Sequence, residues 1–532
     1  MPNIQGGDIF PLSFPIIFLL LFLNISHADL PAIECKDLWL KNNLTKGKYL
    51  YSFNIHPHKT ERGNEGYAPF YESISRQSCF KEWAVFIYMN ADNDLTLPSY
   101  TDIDEMENIG SSISVDVIVY HDSNEHTGSR YLHIAKDPNV TTGTIRKNRK
   151  RPRDFVDFHD LDILSPIAKW LPETDSGDIS TFQHFLEWGL THYPSKHVAV
   201  IVWSHGMGWG ATLGDEYDFT AHQTTENIFD PLKLLNHLSN LSKTPPHTGG
   251  ISFDGTSDDH SMTIPQLRKA LANVRMAYRE GKPFDLLGSD ACLMQMLEVA
   301  FELKDEARFI IGSQAAQANL GWPYTTILRE LIHHPLGRKT NETFGEGIDA
   351  AYQWAKKIPE LYQKSYSGES NSSQGENPKA VMTTINSAEL SLAFPHVLND
   401  FGDALMNFMR VDPLRSLIGK TFSFSGLSQD LYHFTHLINE WLKEEPPTAP
   451  IKKATQSLRD WLTRITVSRG VSQYYDEVEK TGAAKTVSIW LPASNEEFRK
   501  HFGEFKRSRL YRDASSPTNL GGWARFNEYI HK

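Results

Sequence analysis

Short apolar runs alternating with stretches of helical spacing set the pattern of this chain. Trp83–Met89, Val115–Tyr120, Val198–Trp203, Phe284–Gly288 and Arg308–Gly312 are too short for core helices and almost continuously apolar, as expected of strands buried on both faces. Between them, Asp102–Ile109, Ile179–Thr191, Ile264–Tyr278 and Met294–Lys304 carry helical patterns. This alternation predicts an α/β fold with a wound, mostly parallel sheet and helices on its faces. The stretch 218–250 holds a possible helix around Pro231–Leu241 and ends in Pro-Pro and Gly-Gly pairs, so it reads as an insertion. A polar segment, 365–378, reads as a linker. Beyond it, Ala380–Ile385 and Thr486–Leu491 have strand pattern, with helical spacing from about Leu390 to Ile465. This C-terminal region, 379–532, is either an α/β extension of the same sheet or a second domain.

Composition narrows the class. A chain of 532 residues that is 40% hydrophobic and 22% charged can build a full α/β core with extensions, and a formal charge of -12 opposes nucleic-acid binding, which needs a basic surface. The apolar stretch Ile9–Ile25, followed by Ser26-His27-Ala28, reads as a signal peptide over residues 1–28 with cleavage before Asp29. No Lys or Arg precedes it and Pro11 and Pro15 interrupt it, so an uncleaved membrane anchor is the rival reading. The expected location is secreted or periplasmic, with no membrane contact after signal cleavage. In such a compartment Cys35 and Cys79 could pair, or both could stay unpaired in a pro-segment; Cys292 is the odd thiol of three.

The chemistry gathers where two of these strands end. Trp203-Ser204-His205-Gly206-Met207-Gly208-Trp209 and Gly288-Ser289-Asp290-Ala291-Cys292-Leu293-Met294 both begin at carboxyl ends of predicted parallel strands, the edge at which α/β sheets collect their sites. A thiolate is a strong nucleophile favoured by a helix amino terminus and a nearby imidazole, and Cys292 opens a predicted helix with His205 on another strand end. Gly206 permits close backbone approach, so the amides of Gly206 and Cys292 are candidates to hold an oxyanion. A lone cysteine or histidine beside an apolar strand is, on its own, more often structural.

The ordered pair Ser-His-Gly-Met-Gly-Trp and Asp-Ala-Cys-Leu-Met resembles the clostripain family of cysteine peptidases, in the clan of caspases, gingipains and legumains. The stretches Trp83–Leu95, Ser313-Gln314 through Gly321-Trp322-Pro323-Tyr324, and more weakly Ser488–Pro492, are similar to that family as well. The resemblance implies a caspase-like αβα sandwich, a peptidase core over 82–364 and an N-terminal extension or propeptide over 29–81. It implies that Cys292 attacks the scissile carbonyl while His205 protonates the leaving amine and later activates water, with no third triad residue required. Asp290 matches an acid at the base of the pocket for the residue before the cleaved bond, favouring Arg or Lys; Ser313 and Gln314 fall in the substrate loop. The loop Ala315–Leu320 has no carboxylate where relatives often have one, leaving the choice between Arg and Lys open.

Family members typically mature by cutting themselves. The basic run Arg146–Arg153 is one exposed candidate and Lys233 and Lys243 in the insertion are others, although such a run is also what a solvated loop looks like. Asp92 with Asp94, and Asp254, Asp258, Asp259 with His260, invite a calcium reading, but their spacing matches no EF-hand and turns or helix caps account for them equally. No metal site is assigned and no cofactor is required. The expected partners are protein or peptide substrates. The sequence alone leaves two alternatives: a secreted binding protein with a silent site, and a transpeptidase or ligase using the same residues.

Overall fold

In the computed structural model, residues 80–532 are described except 125–127, 138–162, 164, 166, 210–248, 319, 338–348, 368–378, 393–395, 447–448, 473, 476–482 and 514–518; for 54–59 and 65–70 the backbone alone is described. The expected signal peptide, Cys35, Cys79, the basic run, Lys233 and Lys243 therefore lie outside the described residues, as do nearly all of the expected 218–250 insertion and most of the expected 365–378 linker.

The strands are β1 (Asn54–Lys59), β2 (Glu65–Phe70), β3 (Lys81–Ala91), β4 (Val115–Ser123), β5 (Arg130–His133), β6 (Ile167–Trp170), β7 (Ser195–Trp203), β8 (Ile251–Asp254) and β9 (His260–Met262). They continue with β10 (Phe284–Asp290), β11 (Ala307–Gly312), β12 (Val381–Asn386), β13 (Ser423–Ser425), β14 (Ser428–Asp430), β15 (Thr466–Val471) and β16 (Ser488–Ile489). Eleven of them form one sheet in the order β1-β2-β6-β5-β4-β3-β7-β10-β11-β12-β15. Its centre, β4-β3-β7-β10-β11, is parallel throughout, and the expected wound α/β sandwich is the observed fold.

Period-two alternation along the central strands builds both layers. On β3, Trp83, Val85, Ile87 and Met89 join an apolar cluster with residues of the helices Thr96–Glu107, Tyr324–His333 and Ala350–Ser365. The intervening Ala84, Phe86 and Tyr88 join a second cluster with the helices Ile179–His192 and Ile264–Tyr278. Every one of these strand residues is fully buried, which explains why the sequence shows continuous rather than alternating apolarity.

The region after residue 379 adds to this sheet. β12 and β15 extend the edge beyond β11 in antiparallel pairing, and the helices from His396 to Phe408 and from Gly522 to His531 bury Phe401 and Trp523 in the same cluster as Phe86. The expected strand Thr486–Leu491 shortens to β16, which pairs with β14 in a separate three-stranded sheet and bonds Ser488 N to Gln295 O at 3.1 Å. The helix expected over Asp102–Ile109 begins at Thr96 instead. Pro98 is tolerated because the first turn has no carbonyl awaiting its missing N–H.

Glu298 fastens the two regions together. Its carboxyl group accepts the Trp490 amide at 2.9 Å and the Tyr511 hydroxyl at 3.0 Å, wholly out of water. Burial pushes its pKa up to about 7, against the pull of those hydrogen bonds. An exposed glutamate titrates near ~4.3, so between the two values the native state holds a proton that the unfolded chain gives up, and stability falls as pH rises through that window. Glu298→Gln should flatten this slope by about 1.4 kcal/mol per pH unit between about pH 4.5 and about pH 7, read from denaturant midpoints. An unchanged slope would show that Glu298 is ionised in the native state.

Candidate active site

The two motifs meet because β7 and β10 are parallel neighbours in fixed register. Trp203 pairs with Asp290, and the Ser204 amide bonds to Asp290 O at 3.3 Å, so the residues following each strand emerge side by side. A small open cleft lies there; His205, Asp290, Cys292, Leu95, Gln317 and Gly321 are among the residues that line it. His205 and Cys292 are almost fully buried, at 1% and 3% exposure.

Backbone geometry locks both segments. The His205 carbonyl accepts the Ser252 amide at 3.1 Å, while Met207 N bonds to Gly250 O and Gly250 N to Gly208 O, each at 3.0 Å. Gly206 is the close approach: a Cβ there would stand 2.8 Å from both Ala291 Cβ and Cys292 O. Leu293 adopts a φ of 61°, a left-handed conformation strained for a branched residue and placed directly after the thiol.

Cys292 does not open a helix, contrary to the expectation from sequence. The following helix starts at Leu297, because the chain first makes a turn at Cys292 and Leu293, and Leu293 N and Gln295 N pair with Ala315 O and Ser313 O rather than within a helix. The donor at the sulfur is the Gln317 amide, 3.2 Å from Cys292 Sγ. The Gln317 side chain fixes this loop by donating to Ala291 O at 3.0 Å and Ser289 O at 3.3 Å. Ser313 and Gln314 are fully buried and are not among the residues lining the cleft; the Ser313 hydroxyl is spent on Ala315 N and O.

Asp290 faces the cleft with its carboxylate held by the Trp322 amide and the Tyr324 hydroxyl, both at 3.0 Å. Burial nonetheless pushes its pKa up to about 7. A second carboxylate stands beside it, from a helix rather than from the acid-free loop: Asp102 accepts the Trp203 indole N–H at 2.6 Å, and both carboxylates lie 2.9 Å from where a Gly321 Cβ would sit. Burial, then the charge of Asp290, drives Asp102 well above the usual carboxylate range.

One contact was invisible in the sequence. Asp94 Oδ1 lies 2.5 Å from His205 Nε2. The turn Asn90–Leu95 presents it, with Asp92 N on Asn90 Oδ1, Leu95 N on Asn93 Oδ1 at 2.9 Å, and Asn93 Nδ2 on Phe253 O at 2.8 Å. The available signal was its position at the carboxyl end of a strand next to the histidine strand. Asp92 and Asp254 instead take the hydroxyl and amides of Thr256 and Ser257. Among the described residues no group of three or more His, Cys, Asp or Glu is disposed to hold a metal ion.

The sequence profile of the clostripain family matches residues 87–230 and 232–523. No curated protein matches. Among solved structures, a secreted C11 cysteine protease from Bacteroides thetaiotaomicron in complex with an irreversible peptide inhibitor is 17% identical over 80% of this chain and 98% of that one, with a TM-score of 0.48. An inactive zymogen C11 protease from Parabacteroides distasonis is 16% identical over 81% of this chain and 97% of that one, also with a TM-score of 0.48.

The tight approach at Gly206 has a measurable consequence. Gly206→Ala should destabilise the protein by about 1–3 kcal/mol, the usual cost of overpacking, because Ala291 and Cys292 must both shift. Equilibrium unfolding of the purified protein checks this, and a change below about 0.5 kcal/mol would mean that the two segments separate freely.

Proposed function

The chain belongs to the clostripain family of cysteine peptidases, and on that premise we propose that it is an exported endopeptidase that hydrolyses peptide bonds after Arg or Lys through Cys292 and His205. The observation that carries this reading is the convergence of Cys292, His205 and Asp290 on one cleft. In the proposed cycle the Cys292 sulfur attacks the carbonyl carbon and His205 gives its proton to the departing amine. Water activated by His205 then releases the acid product from the thioester. The Gln317 amide at the sulfur supports the thiolate, and the amides of Gly206 and Cys292 are the proposed oxyanion donors.

Asp290 gives the preference for a cation at the residue before the cut. Burial and the charge of Asp290 hold the neighbouring Asp102 towards its neutral form, so the negative charge rests on Asp290, and neither acid has an ion-pair partner among the described residues. The signal-peptide pattern read in residues 1–28 supports export. Among the described residues no helix is long and apolar enough to cross a membrane. Self-processing is part of the proposal, since a thiol at 3% exposure under the Gln317 loop fits a form that opens before use. Candidate cuts are near Lys147, Lys233 and Lys243.

Purified protein incubated with fluorogenic peptides ending in Arg, Lys, Asn or Asp should turn over the first two only, and Cys292→Ala should abolish turnover. Cleavage after Asn with Arg and Lys ignored would remove the role given to Asp290. Because the Asp290 carboxyl is neutral below its pKa of about 7, KM for Arg and Lys substrates should fall as pH rises from about 6 to about 8, and Asp290→Asn should raise KM about tenfold or more and remove that dependence. Mass spectrometry of self-incubated protein locates any chain cut; an intact chain alongside full activity would eliminate the self-processing step.

A further inference from the structure

We infer that Asp94 is a positioning residue for this reaction, fixing the tautomer and orientation of His205 from the turn after β3; this rests on the Cys292–His205 reading above. A carboxylate can only accept, so the 2.5 Å contact requires the hydrogen on His205 Nε2. That leaves Nδ1 as the nitrogen able to take the thiol proton and deliver it to the leaving amine. The assignment follows from hydrogen-bonding capacity.

The placement of the carboxylate is built. Asn90 and Asn93 close the turn by accepting the amides of Asp92 and Leu95, and each anchors it further: Asn90 Nδ2 donates to Ser252 Oγ at 3.1 Å, and Asn93 Nδ2 to Phe253 O. The same Ser252 donates its amide to the His205 carbonyl, so donor segment and acceptor segment are braced against one strand, β8. The ring itself is 1% exposed and its backbone is pinned by the close approach of Gly206 to Cys292. Asp94 is different: its side chain is 48% exposed, at the solvent side of the imidazole. The arrangement places one polarising acceptor outside the ring while the thiol sits within the cleft. Leu95, the next residue, lines that cleft, so substrate binding and histidine orientation share one turn.

Two variants separate tautomer control from packing. Asp94→Ala removes the acceptor, and Asp94→Asn keeps the volume but substitutes a group that can donate as well as accept, so it no longer dictates which nitrogen carries hydrogen. For a peptide amide, whose leaving amine needs a proton, kcat/KM should fall about tenfold or more in both variants. For the matching p-nitrophenyl ester, whose leaving group departs as an anion, the loss should stay within about threefold. A merely structural role would lower both alike. Equal losses on amide and ester, or no loss on either, would overturn the assignment.

A second readout does not depend on the substrate. In the ¹⁵N spectrum of histidine-labelled protein, with the His205 signals assigned by their disappearance in His205→Ala, the wild type should show the Nε2–H form and Asp94→Ala a mixture. An Nδ1–H ring in the wild type overturns the inference even if no peptide is turned over. An active wild type with fully active Cys292→Ala or His205→Ala sinks the underlying reading instead, so the two failures are distinguishable.

Discussion

The register between β7 and β10 is the constraint on which everything at the site depends. Parallel strands that pair Trp203 with Asp290 must release their following residues at the same height of the sheet, so His205 and Cys292 become neighbours without any direct sequence relation. A slip by one residue would turn every buried side chain of β10 to the opposite layer. The two apolar clusters, one on each face, make that slip prohibitively costly. The site is thus held in place by the whole core, and its own strained and unusual features, Leu293 foremost, are tolerated because the surrounding pairing over-determines them.

Around this frame the fold accepts several carboxylates away from water. Asp122, Asp290, Glu298 and Asp430 are all pushed up to about 7, in each case chiefly by burial. Each accepts hydrogen bonds from amide or hydroxyl donors, and of the four only Asp430 feels a nearby cation, Lys485, so the groups are hydrogen-bonded while their charge stays open to change. At Asp290, on the proposed function, a basic substrate side chain would supply the cation. At Glu298 and Asp430 the acid anchors chain segments, Trp490 and Ala484, that wrap the later region around the sheet.

Much of this was legible from residues in line. β3, β4, β7, β10 and β11 announce themselves because burial on both faces makes them almost continuously apolar, and His205, Asp290 and Cys292 stand out at or just beyond their ends. What escaped depended on distance or on local overrides. Asp94 looks like a turn residue, and its bond to His205 spans 111 positions. The helix after Cys292 starts late because long-range pairing with the Ser313–Ala315 segment outcompetes local helical preference. Gln317 reaches the sulfur through its backbone amide, a group that every residue but proline carries and that no motif can mark. Thr486–Leu491 has the composition of a strand, yet β12 takes the edge of β11 and β15 the edge of β12, so it serves a smaller sheet.

The bonds joining Met207 and Gly208 to Gly250 bear on what holds the molecule together in time. They bring the chain on either side of residues 210–248 to one point, and β7 and β10, from opposite sides of that stretch, lie next to each other at the centre of the sheet. A chain severed between those points would stay assembled, since none of the pairings uses the severed bond. Refolding would be another matter. Joining β7 to β10 would no longer be the closure of a loop, whose entropy grows only slowly with length, but an encounter of two molecules that weakens with dilution. The cut form would therefore persist by the slowness of its unfolding rather than by its ability to recover from it.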